Sequence, residues 1–99
     1  MRYKVINRPF VRQDIQEAID YYKNISPELA AKFLSRIREA VRYIRQNPFG
    51  DDVMYKNVRM CRLKQFPYHI HYLVEEQNET IVILAVAFSK RENLDFSEE

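Results

Sequence analysis

The chain is poor in the residues that make linkers, disulfides and membrane spans. Only one glycine, Gly50, and four scattered prolines occur in 99 residues, which excludes a flexible linker or a low-complexity segment. The single cysteine, Cys61, excludes an internal disulfide and has no CxxC or Cys/His spacing around it, as expected of a reducing compartment. Its expected role is a small strand residue packed against a neighbour. No long hydrophobic run is present, and Met1 to Phe10 alternates charged with apolar residues, so neither a secretory signal nor a membrane span is expected and the protein should be cytoplasmic. There is no internal repeat.

What remains is an ordinary globular composition, 46% hydrophobic and 30% charged, and residues 1–99 are expected to form one domain. The net charge of +2 hides an asymmetry. Residues 1–50 carry ten Lys/Arg against five Asp/Glu, whereas residues 51–99 carry six against nine. The basic half suits approach to nucleic acid or an acidic partner, yet falls short of a dedicated nucleic-acid binder.

Periodicity then orders the elements. Arg2 to Ile6 alternates and reads as a short strand, with Asn7 and Pro9 as its stop. From Val11, apolar residues at Val11, Ile15, Ala18, Ile19, Tyr22 and Ile25 follow helical spacing, with Asp14, Glu17 and Asp20 pointing elsewhere. Ser26-Pro27-Glu28 is a helix start: the serine caps, the proline suits the first helical position, and the acid faces the positive end. That second helix is expected from Pro27 to Gln46, ended by Asn47-Pro48-Phe49-Gly50.

Beyond Gly50 the period falls to 2. Val53 to Tyr55 reads as a short strand piece and Val58 to Gln65 as a longer one, with Val58, Met60, Arg62 and Lys64 on one face and Arg59, Cys61 and Leu63 on the other. Phe66-Pro67 breaks it. His69 to Glu75 sets Ile70, Tyr72 and Val74 against His69, His71 and Leu73, and a polar turn leads to Thr80–Phe88, TIVILAVAF, whose lack of clean alternation predicts a central strand covered on at least part of both faces. The expected fold class is α+β, in the order β-α-α-β-β-β: an antiparallel sheet packed against a two-helix hairpin. Residues 92–99 are expected to be a fraying acidic tail unless Leu94 and Phe96 dock.

Three stretches together resemble the RelE/ParE toxin superfamily, its ParE-like side above all. They are Asp14 to Tyr22, Val58-Arg59 through Leu63-Lys64-Gln65-Phe66-Pro67-Tyr68-His69-Ile70-His71-Tyr72, and Ile81 to Val86 ending at Lys90-Arg91. The resemblance covers nearly the whole chain. It implies the toxin of a type II toxin–antitoxin pair, bound in a hetero-oligomer by a cognate antitoxin, with no cofactor. ParE-like members poison DNA gyrase and RelE-like members cut messenger RNA on the ribosome, a non-toxic member that keeps only antitoxin binding is a third reading, and a shared fold does not choose between them.

Metal-free RNA cleavage needs a base for the 2′-hydroxyl, an acid for the leaving oxygen and cations for the phosphorane. Matched to the RelE pattern, Arg62 and Arg91 stand at functional cations, but His69 replaces an arginine and Met60 a lysine. Phe96 and Ser97 lie near the place of the catalytic tyrosine, and Phe88 stands where many members end the last strand on a histidine. His69 and His71 share a strand face, and an imidazole suits proton transfer, so the nuclease alternative uses His69, His71, Arg62 and Arg91. The opposing reading makes them ordinary strand histidines. Under the gyrase reading, the target-binding set is Arg59, Arg62, Lys64, Lys90 and Arg91. Arg38, Arg42 and Arg45 form a basic stripe that is either a nucleic-acid contact or a solvated helix face. No third ligand accompanies His69 and His71, so no metal is expected.

Overall fold

A computed structural model describes residues 3–89. Its elements are β1 (Lys4–Asn7), α1 (Pro9–Lys23), α2 (Pro27–Gln46), β2 (Val53–Tyr55), β3 (Val58–Arg62), β4 (Tyr68–Glu75) and β5 (Thr80–Phe88). The α+β layering is the expected one: the helical hairpin covers one face of the sheet. None of the helices is long and apolar enough to cross a membrane among the described residues.

The helix starts obey two different rules. At α2, extended Ser26 accepts from the Leu29 N–H at 3.3 Å and donates its hydroxyl to Glu28 at 2.9 Å. The Glu28 carboxyl is held below its ordinary range by its own backbone N–H and then by Ser26. At α1 the helix begins at Pro9, two residues before its expected start. Pro9 sits at the first helical position, where a missing N–H costs nothing, so it starts the helix instead of stopping the strand.

Five strands run in the order β1-β5-β4-β3-β2. The last four form the expected antiparallel meander, with Val53–Tyr55 a true strand. Pairing of β1 to β5 is parallel, Lys4 opposite Thr80 through Asn7 opposite Ile83. Lys56 and Asn57, with φ of 43° and 67°, make the two-residue β2–β3 turn, in the left-handed conformation that matches strand twist. At the end of β3, Gln65 is left-handed at φ 70°, which ends the strand at Arg62, short of the expected Gln65.

The irregular pattern of β5 has a definite cause. His71 pairs with Ala85 and Tyr72 with Ile83, leaving Leu84 as an extra residue on β5, a β-bulge. Two consecutive residues, Leu84 and Ala85, therefore face the same side. Ile81, Ile83 and Val86 belong to the helix-side core with Phe33, Ile37, Ile44, Ile70 and Tyr72. Val82, Leu84, Ala85 and Ala87 join Val58 on the far face. All residues from Thr80 to Ala87 are buried, as expected of a central strand. One end of the helix-side core is aromatic, with the Tyr22, Phe33, Phe66 and Tyr68 rings in contact at centroid separations of 5.0 to 6.4 Å; Phe66, the strand breaker, fills this end.

β1 ends at Asn7, so beyond Ile83 one edge of β5 needs another acceptor. Asp14 on α1 provides it: its carboxylate accepts the Val86 N–H at 3.1 Å. Asp14 thus turns toward the sheet, although its place in the helical period was expected to point it away from the apolar face. Asp14→Ala should lower unfolding stability by about 1–3 kcal/mol, the cost of stranding a donor otherwise satisfied by a charged acceptor. Urea unfolding measures this directly, and an unchanged midpoint would show that the bond contributes nothing.

Candidate functional site

β3 carries Arg59 and Arg62, with Lys64 just beyond its end, so three of the five cations expected to bind a target lie here, and the local geometry separates them. In the ladder with β4, Leu63 donates its N–H to the Tyr68 carbonyl at 2.9 Å, and Cys61 pairs with Ile70. Antiparallel alternation then turns the backbone groups of Met60 and Arg62 to the other side. β2 pairs only with Val58 and Arg59, so among the described residues no strand pairs that side of β3 from Met60 onward. An open strand edge is the result.

Beside it lies a groove of about 450 Å³ between α2 and β3. Ala40, Tyr43 and Cys61 supply its apolar walls, Asp51 lines it, and Arg36, Glu39, Arg62 and Lys64 complete its lining. Arg62 and Lys64 are exposed. Arg36 is held in place: its Nε and Nη2 donate to the side-chain oxygen of Gln65 at 2.8 and 2.6 Å, and its Nη1 lies 3.3 Å from Glu39. Left-handed Gln65 therefore also orients a cation. Neither Arg36 nor Gln65 is marked in the sequence, because the bond spans 29 positions and follows no local pattern.

Arg59 is occupied differently. Its Nη1 donates to the carbonyls of Asp51 and Phe49, and its guanidinium lies 5.2 Å from the Phe49 ring centroid. It clamps the loop that leaves α2. Asp51 is fixed from beneath by the buried Tyr72, whose hydroxyl donates to its carboxylate at 2.8 Å. Burial, and then that bond and charge, raise the Tyr72 hydroxyl above its ordinary value. Burial also pushes the Cys61 thiol up to about 12, with the Asp51 charge adding to it.

His69 and His71 share the face away from the helices, with Arg62 in register with His69. Both are buried, at 3% and 0% exposure. The Tyr55 hydroxyl lies 3.1 Å from His71 Nδ1, and the Ser89 hydroxyl 3.4 Å from His69 Nδ1. Burial lowers His71 to about 4, helped by neighbouring His69. The structure thus brings together Arg62, Lys64 and the unforeseen Arg36 at the groove, while Arg59 turns to the loop and the histidines to the buried far face. Lys90 and Arg91, like Leu94, Phe96 and Ser97 of the acidic tail, lie outside the described residues. Among the described residues, no group of three His, Cys, Asp or Glu side chains is placed to hold a metal ion.

A two-layer domain of this topology, with a helix hairpin over one face of a mixed sheet, is shared with a solved protein. The structure described as the chromosomal ParDE TA system from P. aeruginosa superposes with a TM-score of 0.76 over 88% of this chain and 96% of that one, at 23% identity. The family described as ParE toxin of type II toxin-antitoxin system, parDE, matches residues 5–92, and the chain belongs to that family. No curated protein sequence matches it.

Two measurements check the electrostatics. Native Cys61 should resist thiol reagents between pH 7 and 9 and react fully only on unfolding, because the reactive thiolate is absent while its pKa stays near 12; fast labelling of the folded protein would contradict this. For His71, the folded value of about 4 lies below the ordinary 6.5, so the unfolded chain takes up the proton first. Its contribution to stability is therefore complete above pH 6.5 and is lost as pH falls toward 4. Denaturation midpoints should show a steeper loss over that window in the parent than in His71→Gln, and parallel curves would show that burial does not govern the imidazole.

Proposed function

We propose that the protein is a cytoplasmic ParE-like toxin that inhibits DNA gyrase by binding, without covalent chemistry of its own, and is neutralised by a cognate antitoxin. Family membership gives the class. The observation that carries the choice of binding over cleavage is the burial of His71 with its pKa near 4. An imidazole of that basicity, without solvent contact, is a poor base or acid for a ribose hydroxyl at neutral pH. The RelE-like alternative, messenger RNA cleavage on the ribosome with His69, His71, Arg62 and Arg91, needs those imidazoles at the substrate.

The open β3 edge and its groove suit the antitoxin. An extended segment laid along Met60 to Arg62 gains main-chain hydrogen bonds, its apolar side chains meet Ala40 and Cys61, and its acids meet Arg36, Arg62 and Lys64. This arrangement supports a hetero-oligomer in which neutralisation buries the strand edge.

Purified protein should inhibit gyrase supercoiling or trap cleaved DNA at micromolar concentration, and added antitoxin should restore supercoiling. His69→Ala/His71→Ala protein that still folds should inhibit as well as the parent. Translating ribosomes should give no A-site cuts. If gyrase is untouched while ribosomes are cut in a histidine-dependent way, the target is the ribosome.

A further inference from the structure

The sheet face turned away from the helices is buried although neither helix packs on it. Val58, Val82, Leu84, Ala85 and Ala87 form its apolar cluster, flanked by the half-buried Tyr55 and Leu73, and all of these residues belong to strands. Val58, Leu84 and His71 are 0% exposed. Strand side chains stand roughly perpendicular to the sheet, so neighbours in the same sheet close off their sides, but water still reaches their tips unless a further layer lies above. A sheet face left to solvent also alternates toward polar residues. This one has an apolar centre, and among the described residues no helix or second sheet covers it.

We infer that residues 90–99 of this same chain are the cover, packed across that face with Leu94 and Phe96 seated on Val58, Leu84 and Ala85. The described chain leaves β5 on this side: the Ser89 hydroxyl lies 3.4 Å from His69 Nδ1, and the Ser89 N–H donates to the Pro67 carbonyl at 2.8 Å. Ala85 stands four residues back along β5, about 13 Å from Ser89, whereas Leu94 lies five residues beyond Ser89 and reaches up to about 18 Å from it. Leu94 and Phe96 are two apart, so an extended segment presents both to one side and Asn93, Asp95 and Ser97 to the other. From Glu92 the segment carries four acids and no cation, while exposed Lys56 at the β2–β3 turn and Arg62 on β3 border the face. A second copy packed face to face would instead bring the like charges of both chains to one interface, and a segment of the same chain is held at high effective concentration. The assignment makes the acidic tail part of the domain and the reason that His69 and His71 stay dry. It does not depend on the target and is measured without gyrase or ribosome.

The experiment uses the full chain and two readouts. A nitroxide label on Ser97→Cys, in a Cys61→Ala background, should broaden the methyl resonances of Val58, Val82 and Leu84 more than those of Ile37 and Ile44 in the helix-side core. Separately, Leu94→Ser/Phe96→Ser should open the face, so that diethyl pyrocarbonate modifies His69 and His71 at least about tenfold faster than in the parent, with Leu94→Met/Phe96→Leu restoring the parent rate. Circular dichroism checks that the serine variant is folded, and where it is not, the label decides alone, since it leaves both apolar residues in place. Equal broadening on the two sides of the sheet, or unchanged histidine modification in the folded serine variant, would overturn the inference. So would broadening strongest at Ile25, beside the aromatic cleft of Tyr21 and Phe88, which would place the segment elsewhere. Histidine protection that falls on dilution of the parent would assign the face to a second copy, and protection that appears only with added antitoxin would assign it to that partner.

Discussion

Everything in the molecule is hung on β5, a strand buried on both faces and paired on both edges. Parallel β1 occupies one edge as far as Ile83, antiparallel β4 the other along its whole length, and Asp14 takes over the Val86 N–H once β1 has ended. A strand in this position has no solvent side on which to place a polar residue, so every backbone group must find a partner inside the protein. The bulge at Leu84 is the local answer. It lets the side chains before and after it serve the same two cores while His71 and Tyr72 remain consecutive on β4. Because α1 supplies Asp14, the hairpin is bonded to the sheet as well as packed on it.

The periphery has the freedom that the centre lacks. β2 pairs with only two residues of β3, and that shortness leaves the edge from Met60 to Arg62 without a strand partner among the described residues. Open strand edges invite unwanted pairing, and the usual protections are charge and a nearby cover. Both are present: Arg62 and Lys64 lie on or beside the edge, and α2 runs next to it to make the groove. The same charges that discourage pairing with a neutral strand reward an acidic one.

How much of this was legible in the sequence follows from the range of each interaction. The bounds of α2 are those expected, Pro27 to Gln46, because a capping serine and a proline start it and the Asn47-Pro48 pair ends it, all within a few residues. β5 also runs as expected from Thr80 to Phe88, its burial on both faces readable in the unbroken apolar run. The parallel partnership of β1 joins residues dozens of positions apart and leaves no periodic trace, whereas the bulge shows in the sequence only as the lost alternation of β5. The site divides in the same way. Arg62 and Lys64 could be named from type and position alone. Arg36 could not, since only folding brings it to Gln65, and Arg59 was indistinguishable in sequence from a free cation although it holds the loop at Asp51.

The two histidines show how chemistry inferred from residue type can be reversed by burial. In sequence, His69-Ile70-His71 offers two imidazoles on one face beside a row of arginines, a fair start for acid–base work. In the fold that face is a second small core, where the cost of desolvating an imidazolium outweighs the attraction of polar neighbours and the His71 ring is uncharged at neutral pH. Two like groups at alternate positions reinforce the effect, since a proton on one raises the cost of a proton on the other. His71 therefore brings no positive charge to a partner at neutral pH. A guanidinium or ammonium group attracts and orients an anionic partner but does not shuttle protons at neutral pH, so the chemistry open to the groove of Arg36, Arg62 and Lys64 is that of charge and not of acid–base relay.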